Sequence, residues 1–256
     1  MNNTVQPNFF IIGAAKCATT SLASLLALHP AAGISRIKEP HYFSRDENYR
    51  VGWPKYLELF THCAGKKAVG DASTSYSRIR YHKATVERIK AHVPDARIIY
   101  MVRHPLKRIE SAYVENICTA GSPLFATLND MIKLQPMIVD SSRYWEVFDA
   151  YRHAFEETKI KVIFFEEYIA GTVAAFQDVC RFLQIDDSVV PDLKRERVNS
   201  RDEAAARMAK LGRGNFPINT TWDETVRREV LDRLREDNCQ LLAHFGKPKS
   251  FWGDLF

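Results

Sequence analysis

Lys16, Thr19 and Thr20 have the spacing of an anion-binding segment within residues 9–30. An apolar run that ends at Gly13 precedes the lysine, and the two threonines open a stretch with helical periodicity. Backbone N–H groups at a helix start can bind an anion, and the helix dipole favours negative charge there. Lys16 adds a positive charge and the threonines add hydroxyl donors. The sequence therefore predicts an oxyanion cradle between a strand and a helix.

This cradle differs from the Walker A loop, which requires the order G-x-x-x-x-G-K-[ST]. The second glycine of that order is missing, and the threonines lie three and four residues beyond Lys16 instead of directly after it. The alternative interpretation is a plain strand–helix turn with a surface lysine.

Strands and helices alternate along the chain. Apolar runs predict strands over residues 67–70, 97–102 and 160–165 besides the first one. Helical patterns are expected over residues 19–28, 83–92, 106–116, 143–156, 172–183 and 223–245, with 107–110 as a solvated face. This alternation predicts an α/β protein with a central parallel sheet flanked by helices, in a single domain over residues 1–256.

Ligands of parallel sheets bind beyond the carboxyl ends of the strands. Lys16, Arg103 and the polar turn 71–76 each follow a predicted strand. We therefore expect them around one crevice.

The overall composition is that of an ordinary globular protein, with 46% hydrophobic and 26% charged residues. A net charge of +5 does not by itself indicate nucleic-acid binding, but it suits a protein that holds small polyanions. No apolar stretch reaches the roughly 18 residues of a membrane helix, and residues 1–8 lack a signal-peptide pattern. Five scattered cysteines argue against a disulfide framework and favour a reducing compartment. The lack of an apolar anchor segment favours a cytoplasmic location. The eight dispersed histidines suggest no metal site.

Four segments together resemble the sulfotransferases that use 3′-phosphoadenosine 5′-phosphosulfate (PAPS), above all the heparan sulfate sulfotransferase domains and their soluble bacterial relatives. They are FIIGAAKCATTSL (10–22), KEPHYFS (38–44), GDASTSY (70–76) and VRHPLKRIESAYVEN (102–116). Residues 198–252 are similar to the end region of that family. The resemblance implies a P-loop-like sulfotransferase fold and the product 3′-phosphoadenosine 5′-phosphate (PAP).

The resemblance also implies which residues bind the donor. Those expected to surround the 5′-phosphosulfate are Lys16, Cys17, Ala18, Thr19 and Thr20; those expected at the 3′-phosphate are Arg103 and Ser111, with Arg213 in a closing loop. The family commonly has a hydroxyl residue and then glycine at positions 17 and 18. For Arg103 and Ser111 the alternative is an ordinary surface side chain.

For catalysis, the resemblance implies that Lys16 stabilises the leaving oxygen, Glu39 is the base, and His41 lies in the site. Asp71, Ser73 and Tyr76 are expected to contact the acceptor. Glu39 could instead be a salt-bridged loop carboxylate, and His41 a packing residue. Because a sulfuryl group carries a single negative charge, lysine and hydrogen bonds can suffice, and in-line transfer without a metal is expected.

One departure is Ala72, where the glycan enzymes usually have a catalytic lysine. Either Lys16 acts alone, or another cation fills the gap.

The acceptor stays open between a glycan, a lipid-linked sugar and a small hydroxylated metabolite, and between O- and N-sulfation. Aromatic side chains near the crevice could stack on a sugar or belong to the core: Tyr42, Phe43, Trp53, Tyr56 and Tyr76. No nucleic acid or membrane insertion is expected, and the oligomeric state is not indicated. Two alternative functions remain: a P-loop phosphotransferase, which would need a magnesium-binding carboxylate, and a non-catalytic PAP-binding protein.

Overall fold

A computed structural model describes residues 5–120, 125–191, 218–253 and 255 of the chain. These residues form two compact units. The first comprises the described residues up to Arg103 together with residues 147–191, and the second comprises His104–Glu146 and the described residues from 218 onward. A single domain over the whole chain stays a prediction.

The first unit contains a five-stranded sheet with the order β2-β3-β1-β4-β5. Its strands are β1 (Phe9–Gly13), β2 (Ala32–Ile34), β3 (Ala68–Ala72), β4 (Arg97–Val102) and β5 (Ile160–Phe164). All four pairings are parallel. The predicted α/β class with a parallel sheet flanked by helices is thus confirmed, and the three-residue β2 is an addition. Every residue of β1 is buried, as expected for a central strand covered on both faces.

Eleven α-helices lie in the described part of the chain. They are α1 (Thr19–Leu28), α2 (Asp46–Tyr49), α3 (Trp53–Leu57), α4 (Thr85–His92), α5 (Pro105–Ala120), α6 (Leu128–Leu134), α7 (Pro136–Asp140), α8 (Tyr144–Ala154), α9 (Phe165–Ala170), α10 (Thr172–Phe182) and α11 (Glu224–His244). The longer ones agree with the sequence-based helices to within a few residues. The short helices α2, α3, α6, α7 and α9 were not predicted, because a helix of one or two turns shows little apolar periodicity.

An aromatic cluster fills the core beside β1 and β3. Tyr42, Phe43, Tyr56 and Tyr76 are at most 3% exposed. The Tyr42 and Tyr56 rings stack with centroids 4.2 Å apart, and half-buried Trp53 stacks on His92 at 4.4 Å. The sequence left open whether the acceptor stacks on these rings. The four buried rings are not available for such stacking, because they pack against one another.

The second unit is held by buried polar contacts. Arg108 of α5 is 1% exposed, and its Nε donates to Ser142 Oγ at 2.6 Å. The expectation of a solvated face over residues 107–110 is therefore wrong at Arg108. The Asp237 carboxylate of α11 accepts the N–H groups of Trp145 and Glu146 at the start of α8. Burial raises the pKa of Asp237 to about 6, although these hydrogen bonds oppose the shift.

Within the described residues, none of the helices combines the length and the apolar character that crossing a bilayer requires.

Candidate functional site

The predicted cradle begins at Gly13, the last residue of β1. Its φ is 140°, and a Cβ there would overlap the Ser77 side chain and lie 3.2 Å from the Thr74 carbonyl oxygen. Thr74–Ser77 forms a 3-10 turn after β3. Only glycine lets the end of β1 pack this closely against that turn.

The cradle backbone alternates between left-handed and ordinary conformations. Lys16 has φ 72° and Ala18 has φ 66°, while Cys17 between them has no positive φ. The Cys17 N–H donates to the Ala14 carbonyl at 3.2 Å, and the Leu22 N–H donates to Ala18 at 3.1 Å as α1 begins. Such alternation turns successive N–H groups towards a common concavity suited to an anion.

The side chains of the cradle differ in exposure. Cys17 and Thr19 are buried, whereas Lys16 and Thr20 are half-buried. The Cys17 thiol contacts the Ala15 carbonyl oxygen at 3.9 Å. The Cys17 side chain thus packs inside the protein, and its role in donor binding stays a prediction.

Arg103 joins the carboxyl end of β4 to the cradle. Its Nη1 donates to the Lys16 carbonyl oxygen at 3.1 Å, and its Cζ lies 4.2 Å from the centre of the Phe165 ring. The contact with the ring is a cation–π interaction. The structure thus brings Lys16 and Arg103 together in the first unit. Ser111 lies half-buried in α5 of the second unit, and Arg213 lies outside the described residues.

The loop after β2 brings Glu39 and His41 together. Thr74 Oγ1 donates to Glu39 Oε2 at 2.9 Å, and His41 Nε2 lies 3.6 Å from the same oxygen. His41 Nδ1 and Ser75 Oγ are 2.6 Å apart. Both Glu39 and His41 have positive φ values, 56° and 54°, a conformation that costs free energy and needs such contacts to persist.

The His41 imidazole is held towards its neutral form. Burial lowers its pKa, and the positive charges of Arg45 and Arg78 lower it further, against the opposing effect of Glu39. A neutral imidazole can accept one hydrogen bond and donate another.

Asp71 lies at the centre of a buried hydrogen-bond network. Tyr56 and Tyr76 donate to its Oδ2 at 2.8 and 2.7 Å, and Ser73 donates to its Oδ1 at 2.7 Å. Burial raises the pKa of Asp71 to about 6, and the three hydrogen bonds limit that rise.

This burial corrects the expectation that Asp71, Ser73 and Tyr76 contact the acceptor. All three are fully buried and bind one another. The Ser73 hydroxyl also accepts the His41 N–H at 3.1 Å. These residues instead fix the backbone of the loop that carries His41. Ala72 is 5% exposed within β3, opposite Ile11 of β1.

Sequence reasoning missed Thr74, Ser75 and Ser44 as site residues. Thr74 reaches Glu39, and Ser75 Oγ lies 2.7 Å from Ser44 Oγ besides contacting His41. The sequence did contain a signal for these residues, namely a run of hydroxyl residues directly after a predicted strand. Side chains at the end of a strand can reach neighbouring loops at the same edge of the sheet.

No group of three or more His, Cys, Asp or Glu side chains is placed to hold a metal ion within the described ranges.

Comparison with known proteins identifies a family for this chain. The sulfotransferase family matches residues 55–188. Mouse carbohydrate sulfotransferase 15 is 31% identical over 150 residues, covering 42% of this chain and 27% of that protein. Human heparan sulfate glucosamine 3-O-sulfotransferase 6 is 32% identical over 126 residues, covering 48% and 34%. The chain therefore spans about a third or less of the length of these curated relatives.

A solved structure matches almost the whole chain. The crystal structure of a sulfotransferase from Alicyclobacillus acidocaldarius has a TM-score of 0.75 and 27% identity, covering 97% of this chain and 99% of that one. The family match extends over more than half of the sequence and includes β3, β4 and the Thr74–Ser77 turn. The chain belongs to the sulfotransferase family.

Proposed function

We propose that the protein transfers a sulfuryl group from PAPS to a hydroxyl, or an amine, of an acceptor. The observation that carries the proposal is the hydrogen bond from Arg103 to the Lys16 carbonyl oxygen. It joins a guanidinium to an anion cradle, and PAPS has anionic groups at both its 5′ and 3′ positions. Arginine suits a phosphate because its donors form a planar fork.

The residues present fit this donor. The left-handed backbone at Lys16 and Ala18 forms a concavity for the 5′-phosphosulfate, and Thr19 and Thr20 begin the helix behind it. Arg103 would hold the 3′-phosphate. A role for Ser111 there, and for Arg213 in closing the nucleotide site, stays a prediction from the resemblance.

Bound PAPS would supply the sulfuryl group and leave as PAP. Glu39 would accept the proton of the attacking hydroxyl through the carboxylate that Thr74 orients. The Lys16 ammonium would stabilise negative charge that develops on the phosphate oxygen as the sulfur–oxygen bond breaks. Neutral His41, fixed by Ser75, would offer a further polar contact beside Glu39.

A sulfated carbohydrate is the favoured product class, because two relatives are named as carbohydrate and heparan sulfate enzymes. A small hydroxylated metabolite is the second candidate. Transfer without a metal and a cytoplasmic location stay predictions. The family match gives no support to the alternative of a kinase-like phosphotransferase. The alternative of a protein that binds PAP without catalysing transfer is tested by the experiment below.

Calorimetric titration of the purified protein with PAP, adenosine 5′-phosphosulfate and ATP–magnesium tests the proposal. We expect PAP to bind most tightly without added metal, since it alone carries the isolated 3′-phosphate. A preference for ATP–magnesium, or no binding of any nucleotide, would refute it. Tight PAP binding without transfer to any acceptor in a broad screen would instead support the non-catalytic alternative.

A further inference from the structure

Two buried serines hold the Nδ1 end of the His41 ring. Ser75 Oγ lies 2.6 Å from His41 Nδ1 and 2.7 Å from Ser44 Oγ. Ser44 Oγ in turn donates to the His41 carbonyl oxygen at 3.2 Å. Ser44 and Ser75 are 5% and 2% exposed, so bulk water does not replace either of them. Together they form a serine relay that leads from the backbone of His41 to its own ring.

The direction of each hydrogen bond in the serine relay follows from the number of protons. A carbonyl oxygen can only accept, so the Ser44 hydroxyl donates its one proton to the His41 backbone. Ser44 Oγ then accepts the single proton of the Ser75 hydroxyl. Since Ser75 has no proton left for the ring, His41 Nδ1 carries a proton and donates it to Ser75 Oγ. Only in this arrangement do all three contacts hold a proton.

The proton on Nδ1 leaves a lone pair on Nε2, the other nitrogen of the neutral ring. Nε2 lies 3.6 Å from Glu39 Oε2. If Nε2 carried a proton, it would be expected to donate to this carboxylate within about 3.2 Å, the usual limit of an N–H···O hydrogen bond. The longer separation agrees with two groups that both offer lone pairs. The serine relay thus accounts for the gap between His41 and Glu39.

The surroundings of His41 favour the neutral ring that the serine relay orients. Burial lowers the pKa of the imidazole. The negative charge of Glu39 raises it, whereas Arg45, Arg78 and His82 lower it further. Nε2 is therefore held without a proton and can accept a hydrogen bond.

We propose that Ser44 and Ser75 are positioning residues that keep the Nε2 lone pair of His41 directed at Glu39, where it stabilises the proton taken from the acceptor. The proposal rests on the proposed function and adds a task for His41 to it. As the acceptor oxygen bonds to sulfur, its O–H bond breaks and the proton passes to Glu39 Oε2. The new carboxyl O–H donates to His41 Nε2, and the electron pair of the broken sulfur–oxygen bond stays on the phosphate oxygen.

The opposite tautomer would oppose this step. An Nε2–H group would already direct a proton at Glu39, so a second proton on the carboxylate would meet a donor instead of an acceptor. The serine relay excludes that tautomer, although neither serine reaches Glu39 itself.

Nitrogen-15 NMR of protein with labelled histidine measures the tautomer without any need for turnover. Two-bond ¹H–¹⁵N correlation spectra distinguish a ring protonated at Nδ1 from one protonated at Nε2, and His41→Gln identifies the signals of His41. At about pH 8, where an ordinary histidine is neutral, we expect the wild type to show the Nδ1–H pattern. Exposed neutral histidines favour Nε2–H, so this result would not arise by default.

Ser44→Ala separates the proposal from a merely structural role, because the Ser44 hydroxyl bonds the His41 backbone and Ser75 rather than the ring. Without Ser44 Oγ as its acceptor, the Ser75 hydroxyl should donate to Nδ1 and the tautomer should invert to Nε2–H. We expect kcat to fall about tenfold or more, as for the loss of one hydrogen bond, while PAP affinity is retained. Ser44→Thr keeps the hydroxyl and should restore both the tautomer and kcat.

Ser35→Ala is the matched control for a general loosening of the chain after β2. Its buried hydroxyl donates to the Ile37 carbonyl oxygen at 2.7 Å and takes no part in the serine relay. This variant should keep the Nδ1–H pattern of His41 and the kcat of the wild type. A loss in Ser35→Ala equal to that in Ser44→Ala would assign the effect to the loop backbone and overturn the proposal.

The wild-type spectrum can overturn the proposal by itself, if His41 shows the Nε2–H pattern. An unchanged tautomer in Ser44→Ala, or an inverted one with normal kcat, would overturn it as well. If PAP does not bind, the proposed function fails and the task of His41 in transfer fails with it. The spectra would still decide separately whether the serine relay sets the tautomer.

Discussion

The Thr74 hydroxyl donates a 2.9 Å hydrogen bond to Oε2 of Glu39 and so fixes the carboxylate that we propose as the base. Thr74 follows β3, whereas Glu39 lies in the loop after β2. Two adjacent strands of the sheet thus deliver the carboxylate and the group that orients it, because parallel strands end at the same edge.

Glu39→Gln should leave PAP affinity almost unchanged and reduce turnover by about 10²–10⁴-fold, the usual contribution of a positioned base. The amide keeps the shape of the side chain but cannot accept the proton. Steady-state kinetics and PAP titration measure the two effects separately. Glu58→Gln, at an exposed carboxylate paired with Lys55, is the control. Normal turnover in Glu39→Gln would show that the base is another group.

Thr74→Val should lower kcat while PAP affinity is retained, because valine fills the same volume without a donor for Glu39. Thr74→Ser restores the hydroxyl and should recover most of the activity. Comparable losses in both variants would mean that the methyl packing of Thr74, and not its hydrogen bond, matters.

Lys16→Ala should reduce transfer by about 10²–10³-fold, as expected for loss of a group that stabilises developing charge. Both residues carry a Cβ, so the strain of the left-handed backbone at this position is unchanged. Thermal unfolding should therefore shift little. Lys67→Ala, at an exposed residue before β3 at the other end of the sheet, is the matched control and should retain activity. Activity near that of the wild type in Lys16→Ala would exclude the assigned role.

Arg103→Ala should weaken the binding of PAP about tenfold or more beyond any loss in the binding of adenosine 5′-phosphosulfate, which lacks the 3′-phosphate. The comparison between two nucleotides is needed because Arg103 also contacts the Lys16 carbonyl and the Phe165 ring. Loss of those contacts would weaken both ligands equally. Equal weakening would thus contradict the phosphate contact. Arg97→Ala, at the opposite end of β4, should change neither affinity.

Asp71 should make stability depend on pH between about 4 and 7. Burial raises the pKa of its carboxyl from 3.8 to about 6 on folding, so the folded state binds the proton more tightly than the unfolded state. Its contribution is fully present below pH 4 and is lost as the pH rises through 6, by about 3 kcal/mol in total.

Urea unfolding of the wild type and of Asp71→Asn at pH 4, 5, 6 and 7 measures this contribution. The free energy of unfolding of the wild type, relative to that of the variant, should fall across the series, since asparagine does not titrate. Asp95→Asn, at an exposed carboxyl group, should run parallel to the wild type. A constant difference for Asp71→Asn would show that its carboxyl keeps its ordinary pKa.

Ala18→Gly should raise the free energy of unfolding by about 1 kcal/mol, because glycine adopts the φ of 66° at this position without strain. Ala15→Gly has no positive φ to relieve and should be destabilising. Urea denaturation of both variants distinguishes relief of local strain from a general effect of glycine. A destabilised Ala18→Gly would contradict the left-handed assignment.

The fold could be predicted from the sequence where strands and helices are long and periodic. β4 was predicted with its observed bounds, because all of its residues after Arg97 are buried and form an unbroken apolar run. β2 was missed, because Ala-Gly-Ile shows no period in three residues. Phe165 was assigned to the preceding strand but begins α9, since an apolar residue at a strand–helix boundary fits either element.

The sequence indicated several residues of the candidate site but not which side chains contact one another there. Lys16 and Arg103 follow strands, so the sequence indicated their common edge. That Asp71 turns into the core while Thr74 turns towards Glu39 depends on which partners surround each side chain. Three hydroxyl donors in the core stabilise the Asp71 carboxylate. One of them belongs to Tyr56, and a local sequence pattern around Asp71 does not indicate so distant a donor.

The position of β1 has a consequence for biosynthesis. Phe9 pairs with Gly70 on one side and with Arg97 on the other. A ribosome must therefore release more than a quarter of the chain before β1 has its first partner, and more still before it has its second. During that interval the run Phe-Phe-Ile-Ile emerges with both edges open, a state that favours aggregation or capture by a chaperone. Slowing elongation before β3 should accordingly lower the yield of native enzyme more than slowing it after β5.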